Sequence, residues 1–234
     1  MNDDIAQPDL RPIRGAARCA VASLVLVGAA SAARAVCEVR LAMVGQPPSG
    51  PPDQGGGRHR PLTGLENAYD LFSALEVAAT VLCAVAFLGW LLRMRSNARA
   101  LSGDPPRYAW PWVYAGWIVP VMNLWVPRGL LADVHEDSAP GKRLPRVVNW
   151  WWGLWLVGRL GTVGALYPGS TEDAIVRVYT DVRFLVVTNA AVMGAAVAGV
   201  LVVRALTAAQ QEHMQGLGHD ADPARRRIRL GVQG

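Results

Sequence analysis

The sequence predicts an all-α integral membrane bundle of four transmembrane helices, with a re-entrant or interfacial Trp/Pro-rich segment between helices 2 and 3. Three observations carry that prediction. The chain is 52% hydrophobic and its apolar residues sit in long blocks. Blocks of that length match a hydrocarbon layer of about 30 Å rather than the core of one soluble domain. The basic residues cluster between the blocks, and one block is interrupted by prolines.

Residues 1–17 are polar and form a cytoplasmic N-terminal tail. From Arg18 the stretch CAVASLVLVGAASAA runs apolar to Arg34. A basic start, a short apolar core and the small residues Ala30 and Ala32 fit a signal peptide ending near residue 33. The apolar pattern continues through Ala35, Val36, Val39 and Leu41, however, which favours a retained first helix over 18–44 with an outer extension. Residues 45–67 are an external linker, because its repeated prolines and glycines oppose helix formation.

Residues 68–206 form a membrane domain with spans at about 68–92, 147–167 and 184–203. The first is apolar apart from Asp70 and Glu76 and stops at Arg93, Arg95 and Arg99. The second is interrupted only by Asn149 and Arg159, and the third has no charge. Two small-residue stripes on the third, Ala190, Gly194, Ala198 and Ala191, Ala195, Gly199, suit close helix contact. Residues 207–234 form a basic, disordered cytoplasmic tail in which Arg225, Arg226, Arg227 and Arg229 contact anionic lipid.

Tyr108–Val126 is apolar over a spanning length, and loop charge decides whether it crosses. If it does not, sixteen basic residues lie on the cytoplasmic side against four outside; if it does, the division becomes nine against eleven. Pro111, Pro120 and Pro127 also leave backbone carbonyls without helical donors. The segment 108–134 is therefore read as re-entrant or interfacial, with both termini in the cytoplasm and the chain in the cell membrane. All nine tryptophans fall between the end of the 68–92 span and the start of the 147–167 span, as an interfacial belt requires. At the end of this segment, Asp133, Glu136 and Asp137 share one helical face and Leu130, Leu131 and Val134 the other. That pattern predicts an interfacial helix with solvated charge rather than a metal site involving His135.

Ionisable groups within the spans are expensive in hydrocarbon and point to a polar layer. At ~1.5 Å per residue, Arg34 lies ~24 Å above Arg18, Glu76 ~26 Å above Arg93, Arg159 ~20 Å above Arg146 and Asn189 ~23 Å above Arg204. Arg34, Glu76, Arg159 and Asn189 are therefore expected at similar depth, with Glu76 paired to Arg34 or Arg159. A second candidate is a cytoplasmic-face pocket of Arg95, Asn97, Trp117, Pro120, Asn123 and Trp125, with Arg95 as partner for an anionic headgroup.

No catalytic constellation appears. Cys19, Cys37 and Cys83 lack CxxC spacing and read as buried thiols, and the four histidines share no helical face. No cofactor or metal is expected, and no nucleic acid. The expected partners are the bilayer, anionic headgroups, and a further copy or another membrane protein. Three function classes remain: a scaffold or interaction component of the envelope, a small transporter or channel-like module around Glu76, and a lipid-binding or lipid-modifying protein using the Trp-rich face.

Three motifs occur in order: WLLRMRSNA from Trp90, GWIVPVMNLWVP from Gly116 and WWWGLW from Trp150. In this respect the chain resembles the bacterial membrane family called domain of unknown function 4328, over roughly Leu71 to Leu206. The resemblance implies several membrane helices and carries no catalytic residue.

Overall fold

The computed structural model describes residues 10–50, 60–102, 107–119, 121–163 and 171–220. The described residues are helical but for turns and connections. Among them seven α-helices follow in order: α1 (Arg14–Val44), α2 (Gly64–Ser102), α3 (Trp110–Ile118), α4 (Val126–Ser138), α5 (Arg146–Val163), α6 (Thr171–Thr180) and α7 (Val182–Asp220). Three of them, α1, α2 and α7, contain stretches long and apolar enough to cross a membrane, which makes this a membrane protein. α5 falls short of that standard, since Arg146, Arg159 and its polar-tipped tryptophans lower its hydropathy.

The helix ends have local causes. α1 stops at Gly45, whose φ of 77° ends a helix without a Cβ penalty. α2 starts on a capping box: the Thr63 amide donates to Glu66 at 2.7 Å, and the Glu66 amide donates to the Thr63 hydroxyl at 3.3 Å. The linker expected over 45–67 is thus shorter, because 64–67 already belong to α2; its residues 51–59 lie outside the described region. α2 also runs beyond Leu92 to Ser102. Arg93, Arg95 and Arg99 end an apolar span, but arginine is a good helix former and does not end a helix. For the same reason α7 continues beyond Val203 to Asp220, through a stretch expected to be disordered. The tail arginines from Arg225 lie outside the described residues, as do residues 164–167 of the third predicted span.

The chain divides into two compact units. One comprises Cys19–Phe87 and Arg146–Leu201. Here the predicted small residues of α7 meet other helices: a Cβ on Gly194 would lie 3.1 Å from Leu154 of α5, and one on Gly199 would lie 3.1 Å from Leu24 of α1. Gly158 of α5 packs closely enough on Val192 that a Cβ would stand 2.9 Å from its methyl. Ala191, Ala195, Ala196 and Ala198 are buried, while Ala190 faces outward. Phe87 and Trp151 stack with ring centroids 5.6 Å apart. The outward faces are apolar, with Val77, Val81, Val85, Leu160, Val187 and Val197 all exposed, the inverse of a water-facing surface. The amphipathic α6 buries Ile175 and Val178 among Cys37, Leu41 and Tyr69, near the Val44 end of α1 and the Gly64 end of α2.

The other unit comprises Met1–Arg18, Leu88–Pro145 and Val202–Gly234. Trp90 is fully buried and its indole N–H donates to the Thr207 hydroxyl at 3.0 Å. The Gln210 amide donates to the Met94 carbonyl at 2.9 Å and to the Ser138 hydroxyl at 2.8 Å, tying α7 to α2 and α4. The proline-rich segment is not one long helix. It folds as α3, a short 3-10 turn at Met122–Leu124, and α4, with Pro111 and Pro127 in the first turns of α3 and α4, where a missing N–H costs nothing. At nine residues, α3 spans ~13 Å and cannot cross a bilayer. The solvated face expected on α4 holds at Glu136, which is exposed, and is corrected at Asp133, which is buried and lies 3.7 Å from Arg107; Asp137 is half-buried, and the neighbouring His135 is buried.

Substituting Gly158 by leucine should force α5 away from α7 and lower stability by about 1–3 kcal/mol. Gly153→Leu, with nothing within 4 Å of its Cβ position, should be nearly neutral. Thermal unfolding of both variants in detergent micelles checks this, and equal midpoints would contradict the close α5–α7 contact.

Candidate functional site

The strongest concentration of polar chemistry within the spans is built on one face of α1. Ser31, Arg34 and Glu38 are spaced i, i+3, i+7, which places them in one row along the helix. Arg34 is the centre of the group. Its Nη1 lies 2.6 Å from Glu76 of α2, its Nη2 donates to Asn189 of α7 at 2.6 Å, and its Nε lies 3.2 Å from Glu38 one turn along α1. The Ser31 hydroxyl donates to the other Glu76 oxygen at 2.6 Å, and the Asn189 amide donates to Glu38. Glu38 and Asn189 are wholly buried, and Glu76 is 7% exposed.

Three of the four residues expected in the polar layer, Arg34, Glu76 and Asn189, therefore meet. Arg159 is exposed and lies over the Trp155 ring, 5.6 Å from its centroid. Glu38 and Ser31 complete the cluster and were not singled out by the sequence. Glu38 sits where the helix is expected to emerge from the bilayer, which disguised it; its i+4 spacing from Arg34 is the signal that marks it.

A second network closes the Gly64 end of α2. Arg60 forms a two-pronged contact with Glu66, at 2.7 and 2.6 Å, and the Tyr179 hydroxyl donates to the same carboxylate at 3.0 Å. Burial, together with the hydrogen bond to the Glu66 carboxylate, pushes the Tyr179 phenol up to about 12. The bonded carboxylate likewise raises the Arg60 guanidinium. This network joins α6 to the start of α2 and seals the apolar cluster beside the Arg34 group.

The residues of the second predicted pocket have separate partners. Asn97 is fully buried and grips the Arg11 backbone through both its amide groups, each at 2.9 Å. Arg95 is 4% exposed and donates to the Tyr108 carbonyl; its Nε and Nη1 have no hydrogen-bond partner among the described residues. The Asn123 side-chain oxygen is likewise unbonded among them. Trp117 is half-buried, Trp125 is exposed, and Pro120 lies outside the described residues. His135 on α4 is 4% exposed with both ring nitrogens unbonded among the described residues. The three cysteines are free thiols; Cys37 is buried, Cys83 half-buried and Cys19 exposed, contrary to the expectation that all are buried. Among the described residues, no group of three or more His, Cys, Asp or Glu side chains is arranged to hold a metal.

Replacing Arg34 by leucine should be the most damaging single change here, costing about 3–5 kcal/mol, because it strands two carboxylates. Glu76→Gln keeps the shape and should cost clearly less; a reversed order in detergent unfolding would remove Arg34 from the centre. Tyr179→Phe should cost about 1–2 kcal/mol at neutral pH. The folded phenol titrates above its ordinary value, so that stabilisation is complete below about pH 10 and fades as pH rises through about 12. Ultraviolet titration should show a late tyrosine component that is lost in the variant.

No curated protein and no solved structure matches this chain. The model of a domain of unknown function, DUF4328, matches residues 63–208, which include Glu66, Glu76, Tyr179 and Asn189. That match spans more than half of the chain, and the protein belongs to the DUF4328 family.

Proposed function

We propose that the chain is a multi-pass protein of the bacterial cell membrane that acts as a scaffold or interaction component of the envelope, rather than as an enzyme. α1, α2, α5 and α7 cross the bilayer, 108–134 is re-entrant or interfacial, and both termini are cytoplasmic. One observation carries this reading: the polar groups of the Arg34 cluster are spent on one another, while the outward residues of the same helices are apolar. Such a bundle offers lipid and neighbouring helices a continuous greasy surface, and among the described residues no nucleophile and base are paired for catalysis.

A second reading, a small proton- or ion-handling module, is favoured by the pair of carboxylates that share Arg34. A lipid-headgroup role at Arg95 is the third, resting on its buried and only partly bonded guanidinium.

A reporter fused after Gly234 should be shielded in intact cells, and a cysteine placed at residue 48 in an otherwise cysteine-free chain should react with a membrane-impermeant thiol reagent. The opposite pattern at either site would sink the topology. In liposomes of defined composition the purified protein should pass neither protons nor monovalent cations. Flux that is lost in Glu76→Gln would transfer the assignment to the second reading.

A further inference from the structure

Charge counting at the Arg34 cluster points to a bound proton. Two carboxylates, Glu38 and Glu76, meet a single guanidinium. The other groups facing Glu38 bring no compensating charge. Asn189 of α7 is a neutral amide, and Ser31 of α1 and Tyr69 of α2 are neutral hydroxyls, Tyr69 lying within the field of Arg34, Glu38 and Glu76. Cys37 is a buried thiol beside Glu38, and α6 contributes Ile175 and Val178 to the packing around it. Arg40, also on α1, is exposed, and Arg159 of α5 is turned over Trp155. With both carboxylates ionised the group would hold one uncompensated negative charge away from water. Two carboxylates confined to one site with one cation do not both stay ionised.

We propose that Glu38 and Glu76 share one bound proton, carried on Glu38, so that the buried cluster is neutral: a guanidinium, one carboxylate and one carboxylic acid. The geometry selects Glu38 as the acid. Glu76 has the shorter ionic contact, 2.6 Å, and a hydroxyl donor at 2.6 Å on its other oxygen. Glu38 has a longer ionic contact, 3.2 Å, and its other oxygen accepts only from a neutral amide; the oxygen of each carboxylate that faces Arg34 accepts no hydrogen bond among the described residues, so the length of the ionic contact separates them. Glu38 is also the fully buried member of the pair.

The proton sits on Oε1. Its release breaks that O–H bond, leaves the electron pair on the carboxylate and passes H⁺ to water, with no other reactant. Arg34 and Glu76 are the slightly exposed members of the group, and the exit runs past them. The site holds whether or not the bundle moves the proton across the membrane.

Infrared spectroscopy of the full-length protein in lipid nanodiscs tests this through the C=O stretch of a protonated carboxyl, with its shift in D2O as the signature. The wild type at neutral pH should show one such buried band, bleaching reversibly as the buffer is made alkaline. Glu38→Gln should abolish it. Glu76→Gln should abolish it too, since Arg34 then balances an ionised Glu38 alone. Asp133→Asn, at a buried acid outside the cluster, should leave it intact, and Arg34→Gln should about double it. The Glu→Gln variants keep the shape of the site, so they decide the matter even if Arg34→Gln fails to fold. Absence of the band in the wild type, or its survival in either Glu→Gln variant, overturns the proposal.

Discussion

A guanidinium placed within an apolar helix has few ways to meet its hydrogen-bonding needs, and the surroundings of Arg34 are organised by that constraint. Lipid offers it no acceptors, so they come from neighbouring helices: a carboxylate on α2 and an amide oxygen on α7. Each partner fixes something different. Glu76 sets the rotation of α2 about its axis, because a shift of one residue would swing it by about 100° away from α1. Asn189 does the same for α7, and through its second group it also engages Glu38, so α1 and α7 are held at two successive turns of α1. Apolar packing alone would tolerate small rotations of such helices. The polar cluster selects one of them.

Close packing supplies what the cluster does not. Apolar side chains gain little by leaving lipid for protein, so contact must be earned by fit rather than by hydrophobicity. Gly194 and Gly199 let α7 approach Leu154 and Leu24, and Gly158 receives Val192. These contacts lie on the same helices that Arg34 joins. Register and proximity thus depend on each other: the glycines meet their partners only if the polar groups align, and the polar groups reach one another only because the glycines allow the approach.

Much of this was legible in the sequence, for definite reasons. The depth of Arg34, Glu76 and Asn189 follows from counting residues along rigid helices, and the structure brings the three into contact. Arg159 has a similar depth yet is exposed, because depth leaves rotation about the helix axis undetermined and Trp155 offers its ring face instead. A charge near the outer end of a span ordinarily reads as water-facing, so the sequence places Glu38 at that end without marking it as buried. The ends of α2 and α7 are not marked by the edge of the apolar run, because arginine, alanine and glutamine continue a helix readily in water. The burial of Asp133 and His135 was not legible at all, since an amphipathic pattern on α4 shows which residues share a face and not what covers that face.

The family match adds one more step. It begins at Thr63, the capping residue of α2, and so contains Glu76 and Asn189 but none of α1. Within the matched region those two residues lack the cation that neutralises one and the donor that satisfies the other. Arg34 supplies both, and it lies on a helix outside the match. An unpaired carboxylate deep in a span is strongly unfavourable. The matched region is therefore not electrostatically complete alone. α1 thus supplies what the matched region lacks, and the amino acids that do so are Ser31, Arg34 and Glu38, the polar row on an otherwise apolar helix.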